Sequence, residues 1–286
     1  MCVALLFSLG CSAWADDFPP LKIAGEAKPS LPTPAKRQTQ IAIIIDDLGY
    51  QRELSIQATQ LPGQLTLSII PFSPYGRRIA ELATEQGKEV MLHAPMSSVS
   101  DKPMEPGTLT PTMDKAQFQQ TLQKGLADLP NIRGLNNHMG SELTQLRLPM
   151  RWLMDELRDR GLYFVDSRTI ASSLAWQTAL DSGVPTARRD VFLDHDATDL
   201  AIAAEFGRLL AIAKCHQRAV AIAHPYPETL HFLETILPML DRAGIQLVPV
   251  SQLLIYPEIS ASNNPDPPRR ADQPREVLEF MTFGTK

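Results

Sequence analysis

Cysteine is scarce in this chain, with three residues in 286, at positions 2, 11 and 215. Two of them lie in the first eleven residues, so removal of a leader would leave Cys215 alone and no disulfide to form. A chain of this length does not need such staples, because it can bury a large core of its own. Basic character is also weak: the net charge is −5, and Lys and Arg are scattered rather than gathered in a stripe. That distribution excludes a nucleic-acid surface, whose affinity depends on dense positive charge.

No apolar run reaches the roughly 20 residues a membrane span requires. The longest, MCVALLFSLGCSAWADD, ends at the small-x-small triplet Ala13-Trp14-Ala15 before two acids. It resembles the apolar region and cleavage site of a secretory signal peptide over residues 1–15, without the usual basic start. The missing basic start leaves open, beside a cleaved signal peptide, a true start upstream of Met1 or a short membrane anchor as expectations. Lipidation at Cys11 is not expected, because no aliphatic residue stands three positions before it. The expectation is an exported, periplasmic or secreted domain with no membrane span once the leader is gone.

Several catalytic signatures are missing as well. There is no GxGxxG, no Walker-type loop and no GxSxG elbow. Cys215 falls inside a helical pattern, so it is not expected to be a nucleophile.

What is present alternates. Residues 16–39 and 257–286 are rich in proline and polar residues and read as a linker and a disordered tail, the tail closing on an apolar VLEFMTF able to meet an envelope protein partner. Between them, 40–256 interleaves short β-branched runs with helical periodicity. Runs occur at 41–46, 65–70, 89–93, 132–136, 162–166, 190–194, 219–223 and 245–250. Segments such as RRIAELATEQG, AQFQQTLQKGLADLP and MRWLMDELRDRG separate them, several ending in glycine as helix C-termini do. Continuously apolar strands alternating with helices imply parallel sheet. About eight such units predict an α/β fold, a distorted (β/α) barrel of seven to eight strands, with an open doubly wound sheet as the alternative.

The polar residues collect where these strands end. Successive runs finish in Asp46-Asp47, His93, Asn136-Asn137-His138, Asp166-Ser167-Arg168, Asp194-His195-Asp196 and His224. Four of the six histidines stand there, while His216 and His231 lie on helical segments and read as surface residues. In parallel α/β folds this end of the sheet carries the functional site. Each residue also has a plainer reading: a lone Asp after a strand often caps the next helix, and a strand-end His is often a hydrogen-bonded structural residue. One cap suffices for a helix, however, and two adjacent carboxylates repel, so the Asp46-Asp47 pair fits capping poorly. Carboxylates with two imidazoles and an open position suit Zn²⁺ or a similar divalent ion used in hydrolysis. A second carboxylate would serve as base, and a separate His would protonate a leaving group.

The ordered set IAIIIDDLGY, LTLSIIP, MLHAPM, LNNHMGS, FVDSRT and IAHPYP resembles the divergent branch of the polysaccharide deacetylases and covers nearly all of 40–256. That resemblance implies a distorted (β/α) barrel with a divalent-metal site, zinc being the expected ion. It implies Asp46 as base, Asp47 and His93 as metal ligands, and His224 as the acid that assists the leaving group. Ordinary members draw both histidine ligands from one HxxxH-like motif, but Ser97 stands four residues after His93 here. His138 is then the expected second imidazole, with Asn137, Asp166 and Arg168 expected to bind substrate or orient the shell. Arg168 would stand in for a missing arginine-proline motif. The implied activity is removal of acetyl groups from a polysaccharide or peptidoglycan-like glycan. A catalytically inactive barrel that binds glycan or regulates envelope enzymes is the alternative.

Overall fold

The computed structural model describes residues 38–100 and 103–257. The leader, nearly all of the linker and the tail expected from the sequence lie outside these residues. Among the described residues no helix is long and apolar enough to cross a membrane.

Strands and helices alternate as the periodicity predicts. They run β1 (Thr39–Leu48), α1 (Arg52–Gln60), β2 (Thr66–Ile69), α2 (Gly76–Glu85), β3 (Glu89–Met96), α3 (Lys115–Asp128) and β4 (Ile132–Met139). There follow α4 (Arg147–Asp159), β5 (Tyr163–Asp166), α5 (Ala175–Asp181), β6 (Thr186–Arg188), β7 (Val191–Phe192), α6 (Asp199–His216), β8 (Arg218–Ala223), α7 (Pro227–Ile236) and β9 (Ile245–Leu247).

The strands form one parallel sheet in the order β6-β5-β4-β3-β2-β1-β8-β7, with β9 beside the start of β1. The two ends of that path are consecutive in the chain. Arg189 N donates to Asp166 O at the end of β5, and Asp190 N donates to Val220 O in β8. One short stretch therefore bonds first to one edge and then to the other, so the chain itself links the two edges of the curled, distorted barrel sheet, although β6 and β7 do not pair. The strand the sequence indicated at 190–194 is present as Val191–Phe192 on β8, and the short strand Thr186–Arg188 before it, on β5, was not expected.

Alternation along β1 sorts the core. Ile41, Ile43 and Ile45 face the helices, while Ala42 and Ile44 face the barrel interior together with Met91, Val165, Val220 and Ile222. Both faces are buried, which is why the strands read as unbroken apolar runs. The run predicted at 245–250 stops as a strand at Leu247, because Pro249 has no N–H to continue a ladder. Val250–Leu253 instead coil into a 3₁₀ turn at the N-terminal mouth of the barrel. There Val250 N donates to Thr66 Oγ1 (2.9 Å), and Glu89 accepts from Thr66, Tyr163 and Ser251 N. With that mouth floored, the opposite rim is left to carry the polar strand ends.

Candidate metal centre

Asp46 has the same parity as Ala42 and Ile44, so it points into the barrel and is 2% exposed. Asp47 would point the other way if β1 stayed extended, but its φ of +58° bends the chain. Aspartate tolerates this left-handed conformation better than most side chains. The bend appears as a register shift against β2 between Ile45 and Leu48, and it turns both carboxylates onto one rim.

Asp47 Oδ1 lies 3.0 Å from His93 Nε2 and 2.9 Å from His138 Nδ1. The two nitrogens are 3.1 Å apart. These three residues form a group whose ligand atoms all lie within 4.8 Å of one another. Asp47 Oδ1 is buried, yet it has no partner in hydrogen-bond geometry. A desolvated carboxylate oxygen without a hydrogen bond is costly, and three donor atoms turned toward one point fit a cation better than they fit each other. One carboxylate and two imidazoles form the donor set that zinc and similar divalent ions take with a position left open.

Asn136 holds the centre together. It pairs with His93 across β3 and β4. Its Oδ1 accepts from Ser68 Oγ (2.6 Å) and sits 2.7 Å from His93 Nδ1, and its Nδ2 donates to both oxygens of Asp46 (2.8 and 3.1 Å). A carbonyl oxygen can only accept, so Nδ1 of His93 carries a proton and Nε2 is the atom presented to the site. Burial opposes charge on His93, but Asp46, Asp47 and Asn136 outweigh it and push its pKa up to about 9. Burial likewise pushes the Asp47 carboxyl up; contact with His138 and His93 overrides it and holds that group well below the usual carboxylate range.

His224, at the end of β8, faces Asp47 across the rim, its Nε2 3.9 Å from Asp47 Oδ2. Asp194 fixes it, accepting from its Nδ1 (2.9 Å), from its backbone N (2.6 Å) and from Thr229 Oγ1 (2.9 Å). Burial opposes the imidazolium, yet Asp194 and the charge of Asp47 raise its pKa above the ordinary value. Asp46, Asp47, His93, His138, Asn137 and His224 line one cleft of about 290 Å³, with serines from the β3, β4 and β5 loops around it.

The remaining expected residues sit differently. Asn137 spans the rim, its Oδ1 accepting from Ser167 N and its Nδ2 donating to Met139 O. Asp166 is turned into its own loop, where it accepts from Arg168 N, Ser173 Oγ and Trp176 N, which matches the plainer capping role. The Arg168 side chain is exposed and away from the cleft lining. Arg189 is the arginine folded against that loop, with Nε on Ser167 O and the guanidinium over Phe192. His195, His216 and His231 are exposed, and Asp196 caps its own turn through Thr198 N. Sequence reading placed Asn136 and Asp194 among the polar strand ends but gave neither a role. The signal for Asn136 was a polar residue in the buried LNN stretch, and for Asp194 an acid just before the exposed His195.

Comparison with known proteins places residues 43–254 on the model of a family described as divergent polysaccharide deacetylase. The uncharacterized protein YibQ of Escherichia coli strain K12 is 34% identical over 238 residues, covering 82% of this chain and 73% of its own. An uncharacterized protein of Haemophilus influenzae is 35% identical over 216 residues, covering 76% and 77%. Among solved structures, an uncharacterized protein from Agrobacterium tumefaciens C58 superposes with a TM-score of 0.73 at 26% identity, over 78% of this chain and 92% of that one.

Proposed function

Because the chain belongs to the divergent polysaccharide deacetylases, we propose that it is a metal-dependent hydrolase that removes acetyl groups from an N- or O-acetylated glycan. The observation that carries this is the convergence of Asp47, His93 and His138 on one point, with Asp46 and His224 on the same rim. A divalent ion held there, zinc by its donor set, would supply Lewis acidity and an acidified water.

The chain's own groups account for the proton movements. Asp46, clamped by Asn136 Nδ2, is the base that accepts the water proton. His224 carries a proton on Nε2, kept there by Asp194 on its other nitrogen. It delivers that proton to the departing amine or alcohol as the C–N or C–O bond of the acyl group breaks. Asn137 shapes the wall of the cleft, and the serine-lined mouth is suited to sugar hydroxyls. The reading includes export through the N-terminal segment, which makes an envelope polysaccharide such as peptidoglycan the accessible substrate.

The test is metal content after chelator-free purification together with acetate release from acetylated envelope glycans, for the wild type and Asp47→Ala. Bound metal and released acetate, both lost in Asp47→Ala, are expected. Metal retained by Asp47→Ala would overturn the ligand assignment. Metal bound without acetate release would favour a glycan-binding or regulatory barrel.

A further inference from the structure

His93 has a clear outer partner in Asn136, and His138 needs one of its own if it is to hold a fixed tautomer. Its Nδ1 faces Asp47 and His93, and its Nε2 points the opposite way, toward Glu105 Oε1 at 3.5 Å. That separation is ion-pair range rather than a formed hydrogen bond. Glu105 lies on the long connection after β3, where a surface glutamate would ordinarily turn to water.

Here the backbone keeps it in place. Leu109 bridges to Met96 at the end of β3, with Leu109 N on Pro95 O and Ser97 N on Leu109 O. Glu105 O accepts from both Thr108 N (3.1 Å) and Thr108 Oγ1 (2.7 Å), closing a tight turn. Gly107 in that turn has φ +78° and packs so closely on Phe72 that a Cβ would lie 2.6 Å from its ring. The turn is thus pinned, and the carboxylate folds inward. Its Oε2 is buried with no hydrogen-bond partner among the described residues, which carries a desolvation cost.

We propose that Glu105 is the positioning carboxylate of His138, accepting a hydrogen bond from Nε2–H so that Nδ1 is presented to the metal. A carboxylate behind a ligating imidazole fixes its tautomer and raises its basicity. The inference rests on the metal-site reading above and adds a residue to it. It also explains how His138, coming from a different strand than His93, can replace a histidine from the same motif: the loop that starts just after His93 carries the orienting group.

The experiment titrates the metal-free full chain with Zn²⁺ and with Co²⁺ in competition with a chromophoric chelator. Glu105→Ala is expected to weaken binding by roughly 10- to 100-fold. Glu105→Gln, whose amide oxygen still accepts a hydrogen bond, is expected to recover part of that loss. Imidazole ¹⁵N shifts of the zinc-loaded wild type are expected to show His138 protonated at Nε2. Affinity within twofold of wild type in Glu105→Ala, or ligation of His138 through Nε2, overturns the proposal. If Glu105→Ala fails to fold, Glu105→Gln and the ¹⁵N shifts decide the matter. A wild-type chain that binds neither ion sinks the metal reading itself, whereas a zinc-binding wild type with indifferent Glu105 variants sinks only the role of Glu105.

Discussion

Asn136 and Asp46, ninety residues apart in sequence, are joined by a two-pronged contact in which one amide nitrogen reaches both carboxylate oxygens at 2.8 and 3.1 Å. The same amide group touches His93 through its oxygen. One neutral side chain therefore sets the position of the candidate base and the tautomer of a candidate ligand.

Asn136→Ala should be among the most damaging single changes in the protein. It leaves Ser68, His93 and Asp46 buried without their partner, at a cost of about 1–3 kcal/mol. Metal affinity is expected to fall roughly 10- to 100-fold as well. Urea unfolding and zinc competition measure the two losses separately, and an unchanged zinc affinity would remove Asn136 from the site.

Asp194→Asn keeps the shape around His224 but replaces an acceptor that favours the imidazolium. Loss of kcat by roughly 10²-fold or more is expected, with KM and metal content little changed. The alkaline limb of the rate profile should move to lower pH, because Asp194 helps raise the His224 pKa. A variant with wild-type kcat would show that His224 does not act as the acid.

The metal-free protein should lose stability as pH rises through the neutral range. His93 has a folded pKa of about 9 against an ordinary 6.5. Its contribution is complete below about pH 6.5 and disappears as pH approaches about 9, a loss on the order of 3 kcal/mol. Asp47 behaves oppositely: its depressed pKa adds stability above the ordinary carboxylate value of 3.8, and that stability is lost as pH falls below it. Denaturant unfolding in the presence of chelator checks both limbs, and a flat profile from pH 6.5 to 9 would contradict the His93 environment.

Zinc binding should run the other way. The ion needs an unprotonated Nε2 on His93, so binding at neutral pH is expected to release a proton and to strengthen as pH rises toward about 9. Calorimetry in buffers of different ionisation enthalpy counts the released proton. Uptake without proton release would place the ion away from His93.

Much of the fold was legible in the sequence, and for simple reasons. Strands buried on both faces must be apolar throughout, so IAIII, LTLSII and AVAIA stood out. The helices between them have to bury one stripe, and that leaves a 3.6-residue rhythm. The split of 186–192 between two neighbours was not visible, since a three-residue and a two-residue strand carry no periodicity of their own. Strand ends also pointed to Asp46, Asp47, His93, His138 and His224, because polar residues closing apolar runs are conspicuous.

The sequence by itself determined the parallel α/β architecture and the rim on which the polar residues collect, because burial and periodicity act locally along the chain. Only the tertiary structure decided how those residues are used. The left-handed bend at Asp47, the bridge through Asn136, the support of His224 by Asp194 and the turn that folds Glu105 behind His138 all join elements distant in sequence. Such contacts depend on where the curled sheet sets one strand end against another, and a one-dimensional pattern of residue types carries no record of that distance.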